Sequence, residues 1–170
     1  MATPFIRSGD RLLDIGCYDR SLIDSVRTQI SSAVGIDSNA LPDLGERVEI
    51  IQGHFPDEHR FDDAAFDSIT LLAVLEHVDD PAALATECER ILAPGGRLIL
   101  TVPHPMVDIV LDALMFLKIA DGMSAEEHHG FDVGLTQSIF EKASLPLYCK
   151  RRFQLGLNRL YVFEKPRYSR

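Results

Sequence analysis

Short apolar runs alternate with stretches of helical spacing over the first hundred residues. Residues 11–15 (RLLDI) form an apolar run closed by Gly16 and predict strand 1. Over 21–30, Leu22, Ile23, Val26 and Ile30 recur at helical spacing, with Asp19 or Ser21 near the cap. Residues 33–36 (AVGI), closed by Asp37, predict strand 2, and residues 48–52 predict strand 3. Residues 67–72 are almost continuously apolar, the pattern of a strand covered on both faces. A helix over 81–92 has Pro81 in its first turn and is stopped by Pro94, Gly95 and Gly96. Residues 97–102 (RLILTV) predict strand 5.

Repeated strand–helix–strand order implies a parallel sheet with right-handed crossovers. Such sheets bind ligands at the carboxyl ends of their strands, where the strand order reverses. The last third reads differently. Residues 136–143 predict a helix capped by Thr136. Residues 147–155 and 159–164 predict two strands joined through Gly156, Leu157 and Asn158, a β-hairpin signal. The expected fold is therefore α/β and Rossmann-like. Its sheet is mostly parallel, of six or seven strands, with helices on both faces and a C-terminal antiparallel hairpin.

Composition narrows the class. The 170 residues predict one domain over 1–170. Hydrophobic residues at 46% and charged residues at 25% match a soluble globular protein. A net charge of −9 disfavours nucleic acid and anionic membrane as partners. The basic group Lys150, Arg151, Arg152, Arg159, Lys165, Arg167 and Arg170 reads as solvated strand edges and a tail. Cys17, Cys88 and Cys149 are odd in number and widely spaced, which predicts free thiols, a cytoplasmic location and no metal site. The N-terminus lacks a signal-peptide pattern. The longest apolar stretch, 106–120, carries Asp108, Asp112 and Lys118 and is no membrane span.

Three stretches hold candidate chemistry. In LLDIGCYDRS (12–21) a strand ends in Asp14-Ile15-Gly16, and glycine lets backbone approach a ligand closely. Asp14 and Gly16 also suit a plain strand end and turn. Asp37 follows at roughly the 20-residue spacing at which an acid accepts ribose hydroxyls in dinucleotide folds. Its plainer reading is an Asx turn. In AAFDSITLLAVLEHVDDP (64–81), Glu76 and His77 arrive just after an apolar strand, where site residues are often presented. No GxGxxG occurs, which argues against a nicotinamide oxidoreductase.

The segments GIDS (35–38), FDSITLLAVLEHVDDP (66–81) and RILAPGGRLILTVP (90–103) resemble the motifs of small class I S-adenosylmethionine-dependent methyltransferases of the ubiquinone-biosynthesis type. The resemblance covers about residues 10–104 and, more loosely, extends to 165. It implies S-adenosylmethionine as cofactor. Asp14 and Gly16 would line its methionine portion, Asp37 would hold the ribose, and His54 and Phe55 would cover the adenine. Backbone at Leu72 and Ala73 would touch the methionine amine. Cys17 and Ser38 complete the expected contact set. Where the family loop reads DxGxGxG, the second and third glycines are here Tyr18 and Arg20. Tyr18 would narrow the pocket floor or force a shifted loop, and Arg20 would pair with the methionine carboxylate.

Only ten residues precede strand 1, so a cover for the substrate is expected from 104–135 instead. The 106–120 helix is read as that cover, as a homodimer contact, or as core packing. The following AEEHHG (125–130) lacks metal-ligand spacing. His77, His104, His128 and His129 are the candidate catalytic bases. The expected function is methyl transfer from S-adenosylmethionine to a small-molecule acceptor. The alternative is a non-catalytic relative with a degenerate glycine loop, one that binds a partner protein or another nucleoside ligand.

Overall fold

A computed structural model describes residues 1–103 and 132–167. The described strands are Arg11–Ile15 (β1), Ser32–Asp37 (β2), Asp43–Leu44 (β3), Val48–Gln52 (β4), Phe66–Leu72 (β5), Leu92–Pro103 (β6), Leu147–Phe153 (β7) and Asn158–Glu164 (β8). The α-helices among these residues are Ser21–Val26 (α1), Pro81–Ile91 (α2) and Thr136–Lys142 (α3).

The strands form one eight-stranded sheet in the order β3-β4-β2-β1-β5-β6-β8-β7. β4, β2, β1, β5 and β6 are parallel; β3, and the β7–β8 hairpin through β8, join antiparallel. Strand order reverses at β1, whose neighbours are β2 on one side and β5 on the other. A crevice at the carboxyl ends of these three strands is the geometric consequence.

Alternate residues of each strand feed two apolar layers. Leu13, Ile15, Ile69, Leu71, Leu98, Leu100, Tyr161 and Phe163 pack beneath Leu84, Cys88 and Ile91 of α2 and Phe140 of α3. Leu12, Ile99, Leu160 and Val162 pack on the other face against Phe5, Ile6 and α1 residues Ile23 and Val26. Helices thus cover both faces, which is why β5 is buried along most of its length. Its two buried hydroxyls are satisfied locally: Ser68 bonds Asp10, and Thr70 bonds Asp14.

Several boundaries differ from the sequence expectation. The two-residue edge strand β3, with exposed Asp43 and Leu44, raises the sheet beyond the six or seven strands expected. α1 ends at Val26, short of the expected residue 30; a turn follows in which Gln29 N and Ile30 N both donate to Val26 O. β6 starts at Leu92, directly after α2, and includes Pro94-Gly95-Gly96. Gly95 N donates to Lys165 O, and Lys165 N to Gly96 O, so the C-terminal segment pairs with the turn that was expected to lie outside the sheet. A Cβ on Gly96 would stand 2.8 Å from Ala93 O and 2.9 Å from Asp67 O. The hairpin turns through Gln154–Gly156, ahead of the expected connection, with Gln154 and Leu155 at φ 49° and 57°. Thr136 is buried as the first residue of α3 and does not cap it; the turn before the helix is fastened by Asp132, which accepts from Gly134 N at 2.8 Å. Among the described residues no helix is long and apolar enough to cross a membrane.

Candidate functional site

The loop after β1 is set by its backbone. Gly16 lies at φ +75°, and a Cβ there would overlap Val74 Cγ2, so this position takes glycine alone. The amides of Gly16 and Cys17 both donate to Ile36 O, at 2.8 and 3.2 Å, which ties the loop to β2. Tyr18 and Arg20 follow at φ 43° and 57°. The three positions that are glycine in the resembled loop therefore keep left-handed backbone here, two of them with side chains attached. Tyr18 is 73% exposed and forms part of a cavity rim instead of filling its floor. The Arg20 guanidinium is engaged by Asp24 at 3.2 Å and Asp43 at 2.6 Å, and it is absent from the cavity wall. The expected pairing of Arg20 with a methionine carboxylate is thus replaced, in this conformation, by two surface ion pairs. Cys17 is also off the wall; its sulfur sits so close under β2 that a Cβ on Gly35 would lie 2.8 Å from it. Burial, then the charges of Asp14 and Asp37, push its thiol up to about 12, so it is no nucleophile at neutral pH.

Asp37 ends β2 beside that loop. Its Oδ2 accepts from Tyr18 N at 3.0 Å and its Oδ1 from Asn39 N at 2.8 Å. Each carboxylate oxygen retains a further lone pair for a ligand hydroxyl. Asp14 lies deeper: it is 3% exposed, accepts from Thr70 Oγ1 at 2.5 Å, and is not part of the wall. Burial pushes its carboxyl up to about 6; the Thr70 bond opposes this and the charge of Asp37 adds to it.

The segment after β4 supplies the next wall. His54 is exposed there, and its amide donates to Glu58 Oε2 at 2.9 Å. Phe55 is buried, and an aromatic row backs it: Phe61 at 6.1 Å between centroids, then Phe66 edge-on to Phe61 at 5.0 Å. Arg90 of α2 secures the loop that carries Phe61, donating to Phe61 O at 2.6 Å and pairing with Glu87 and Asp63. The fourth wall is the end of β5. Leu72 leads to Ala73 at φ 57°, whose amide donates to Thr101 Oγ1 at 3.0 Å. Val74, His77 and Val78 continue it, and Asp80 caps α2 by accepting from Ala82 N and Ala83 N at 3.0 and 2.9 Å.

These walls enclose an open cavity of about 900 Å³. Of the expected contacts, Gly16, Asp37, Ser38, His54, Phe55, Leu72 and Ala73 meet on it, together with His77. Tyr18, Asn39, Val74, Val78 and Asp79 also line it. Asn39 was readable from the Asx turn at Asp37; Val74 and Val78 carried no signal, being ordinary apolar residues in sequence. The wall holds Asp37, Asp57, Asp79 and Asp80 but no Lys or Arg among the described residues. His104, His128, His129 and the 106–120 helix lie outside the described residues. No cluster of three or more metal-ligating side chains occurs among those described.

Comparison with known proteins agrees with this architecture. The family model of the methyltransferase domain matches residues 1–138. Similar curated proteins include the ubiquinone biosynthesis O-methyltransferase of Pseudomonas aeruginosa, 31% identical over 103 residues, covering 55% of this chain and 44% of that protein. The Psychrobacter cryohalolentis protein of the same name is 25% identical over 166 residues, covering 89% of this chain and 63% of that protein. The chain spans about half the length of the curated relatives it matches. Among solved structures, a methyltransferase in complex with the Haloferax volcanii Trm112 activator superposes at TM-score 0.75 with 17% identity, over 97% of this chain and 86% of that one. A Methanosarcina mazei S-adenosylmethionine-dependent methyltransferase superposes at 0.69 with 18% identity, over 96% of each chain. At such identities the structures speak for the fold. With the family model spanning most of the sequence, the chain belongs to the methyltransferase-domain family of class I S-adenosylmethionine-dependent enzymes.

Proposed function

We propose that this protein binds S-adenosylmethionine in the cavity between β2, β1 and β5 and transfers its methyl group to a small-molecule acceptor. The observation that carries the donor reading is Asp37, a carboxylate with acceptor capacity to spare, on the rim of a cavity that Gly16 also lines. The residues present fit the cofactor. The volume lies within the ~300–1,000 Å³ of ligand sites. Phe55 offers an apolar face for a base, and Asp37 offers two oxygens for ribose hydroxyls. Asp14 and the acidic wall favour a ligand bearing positive charge.

When bound, S-adenosylmethionine supplies a methyl group on a sulfonium, already activated toward a nucleophile. The protein then has to align and to exclude water. Gly16, Ala73 and Val74 shape the space beside the donor. His77, on the wall just past β5, is the described side chain placed to take a proton from an acceptor hydroxyl or amine.

Calorimetric titration with S-adenosylmethionine and S-adenosylhomocysteine tests this. Saturable micromolar binding, weakened by about 10–100-fold in Asp37→Ala, is expected, the worth of a hydrogen-bonded charge. No heat with either compound would favour the second reading, a non-catalytic binding protein. One observation speaks for that reading: Tyr18 and Arg20 occupy positions where left-handed backbone favours glycine.

A further inference from the structure

The β7–β8 hairpin carries a charge that the acidic average conceals. Residues two apart along a strand share a face, and Lys150 stands opposite Tyr161 while Arg152 stands opposite Arg159. Lys150, Arg152 and Arg159 therefore lie on one face. Lys150 Nζ sits 4.7 Å from the centroid of the Tyr161 ring. Arg151 turns to the other face, with its guanidinium carbon 5.1 Å from the centroid of Phe5.

Arg152 and Arg159 are thus like charges directly opposed on an antiparallel pair, an arrangement that destabilises a sheet unless an anion joins them. None of the ion pairs among the described residues involves either one. Arg159 Nε is also buried and has no hydrogen-bond partner among the described residues. A buried donor without an acceptor is costly, and an incoming acceptor would relieve that cost.

Their position gives this meaning. Arg159 faces Val102 across the β6–β8 pair. Thr101, the residue before, accepts the amide of Ala73, which lines the cavity. Roughly 10 Å, two strand spacings, separate Arg159 from the tip of β5. Along the sheet the arginines lie past β6, on the side away from Asp37 of β2. The carboxyl edge is therefore acidic where the cationic donor would sit and basic at the other end.

We propose that Arg159 and Arg152 recognise an anionic group on the methyl acceptor, a carboxylate or phosphate whose paired oxygens match guanidinium forks. This rests on the donor reading above and assigns the acceptor class to the carboxyl edge beside that cavity, past β6.

The test uses the full chain and reads the two assignments separately. Nitrogen-15 spectra of the arginine Nε–H groups are recorded during titration with benzoate, with its neutral isostere benzamide, and with inorganic phosphate, each with and without S-adenosylhomocysteine. Benzoate or phosphate is expected to shift the Arg159 signal saturably, while benzamide does not and Arg151 stays still. Arg152 is exposed, so Arg152→Gln keeps the fold; it is expected to weaken the anion by about tenfold and leave S-adenosylhomocysteine affinity unchanged. Arg159→Gln is expected to abolish the shift of the Arg152 signal that the same anions cause in the parent. A silent Arg159 at tens of millimolar anion, an equal response to benzamide, or an equal shift of Arg151 would overturn the proposal. Loss of S-adenosylhomocysteine binding alone would count against the donor reading and not against the anion site.

Discussion

The two sides of the sheet are built by different rules. β1 and β5 are buried almost throughout, and their tips form the cavity from backbone: a glycine, turning amides and a strand-end acid. β7, on the far side, is half-exposed to exposed along its length, and what it presents is side-chain charge. The parallel half fixes a site through geometry that few sequences can satisfy. The hairpin leaves its edge free to vary without disturbing the core.

That contrast can be broken. Gly16→Val forces a branched side chain into a left-handed position and against Val74. It is expected to destabilise the fold by about 2–4 kcal/mol in urea unfolding and to remove donor binding. Adding Val74→Ala recovers part of the stability if the clash is the cause.

Asp14 gives the next largest effect. Its carboxyl is raised from an ordinary 3.8 to about 6, so the fold favours its neutral form. As pH rises between these values the unfolded chain releases the proton first, and stability falls; above the folded value the loss is complete. The full effect is on the order of 2–3 kcal/mol. Asp14→Asn is therefore expected to be more stable than the parent at pH 8, with the gap closing toward pH 4, as read by denaturation at each pH. A gap independent of pH would show that the carboxyl is not perturbed.

Tyr18→Gly relieves a left-handed side chain that is mostly exposed. It is expected to add about 0.5–1 kcal/mol, the strain relief exceeding the entropy of the added glycine. A lower melting temperature would mean that the tyrosine ring contributes contacts of its own. Smallest of all, Arg152→Gln is expected to change stability within about 0.5 kcal/mol, as a surface replacement on the hairpin.

Sequence periodicity was enough for the seven longer strands and for α2: β1 and β5 are buried on both faces, and β7 and β8 were marked by the turn signal between them. It missed β3, whose two exposed residues carry no pattern. It also placed Pro94-Gly95-Gly96 outside the sheet, since pairing with Lys165 is a long-range event. At the site, Gly16 and Asp37 were legible from spacing, and the resemblance added His54, Phe55, Leu72 and Ala73. Arg20 could not be placed, because its destination depends on Asp43, an acid brought near only by the fold. The Arg152–Arg159 opposition was equally hidden: a basic run in sequence becomes a pair only once register is known.

The central claim is that the cavity at the tips of β2, β1 and β5 holds an adenosyl group. A crystal structure with S-adenosylhomocysteine tests it most directly. Ribose hydroxyls within hydrogen-bond distance of both Asp37 oxygens, with the adenine against Phe55, are the predicted result. A nucleoside bound elsewhere, or a cavity closed by Tyr18 swinging inward, would contradict it.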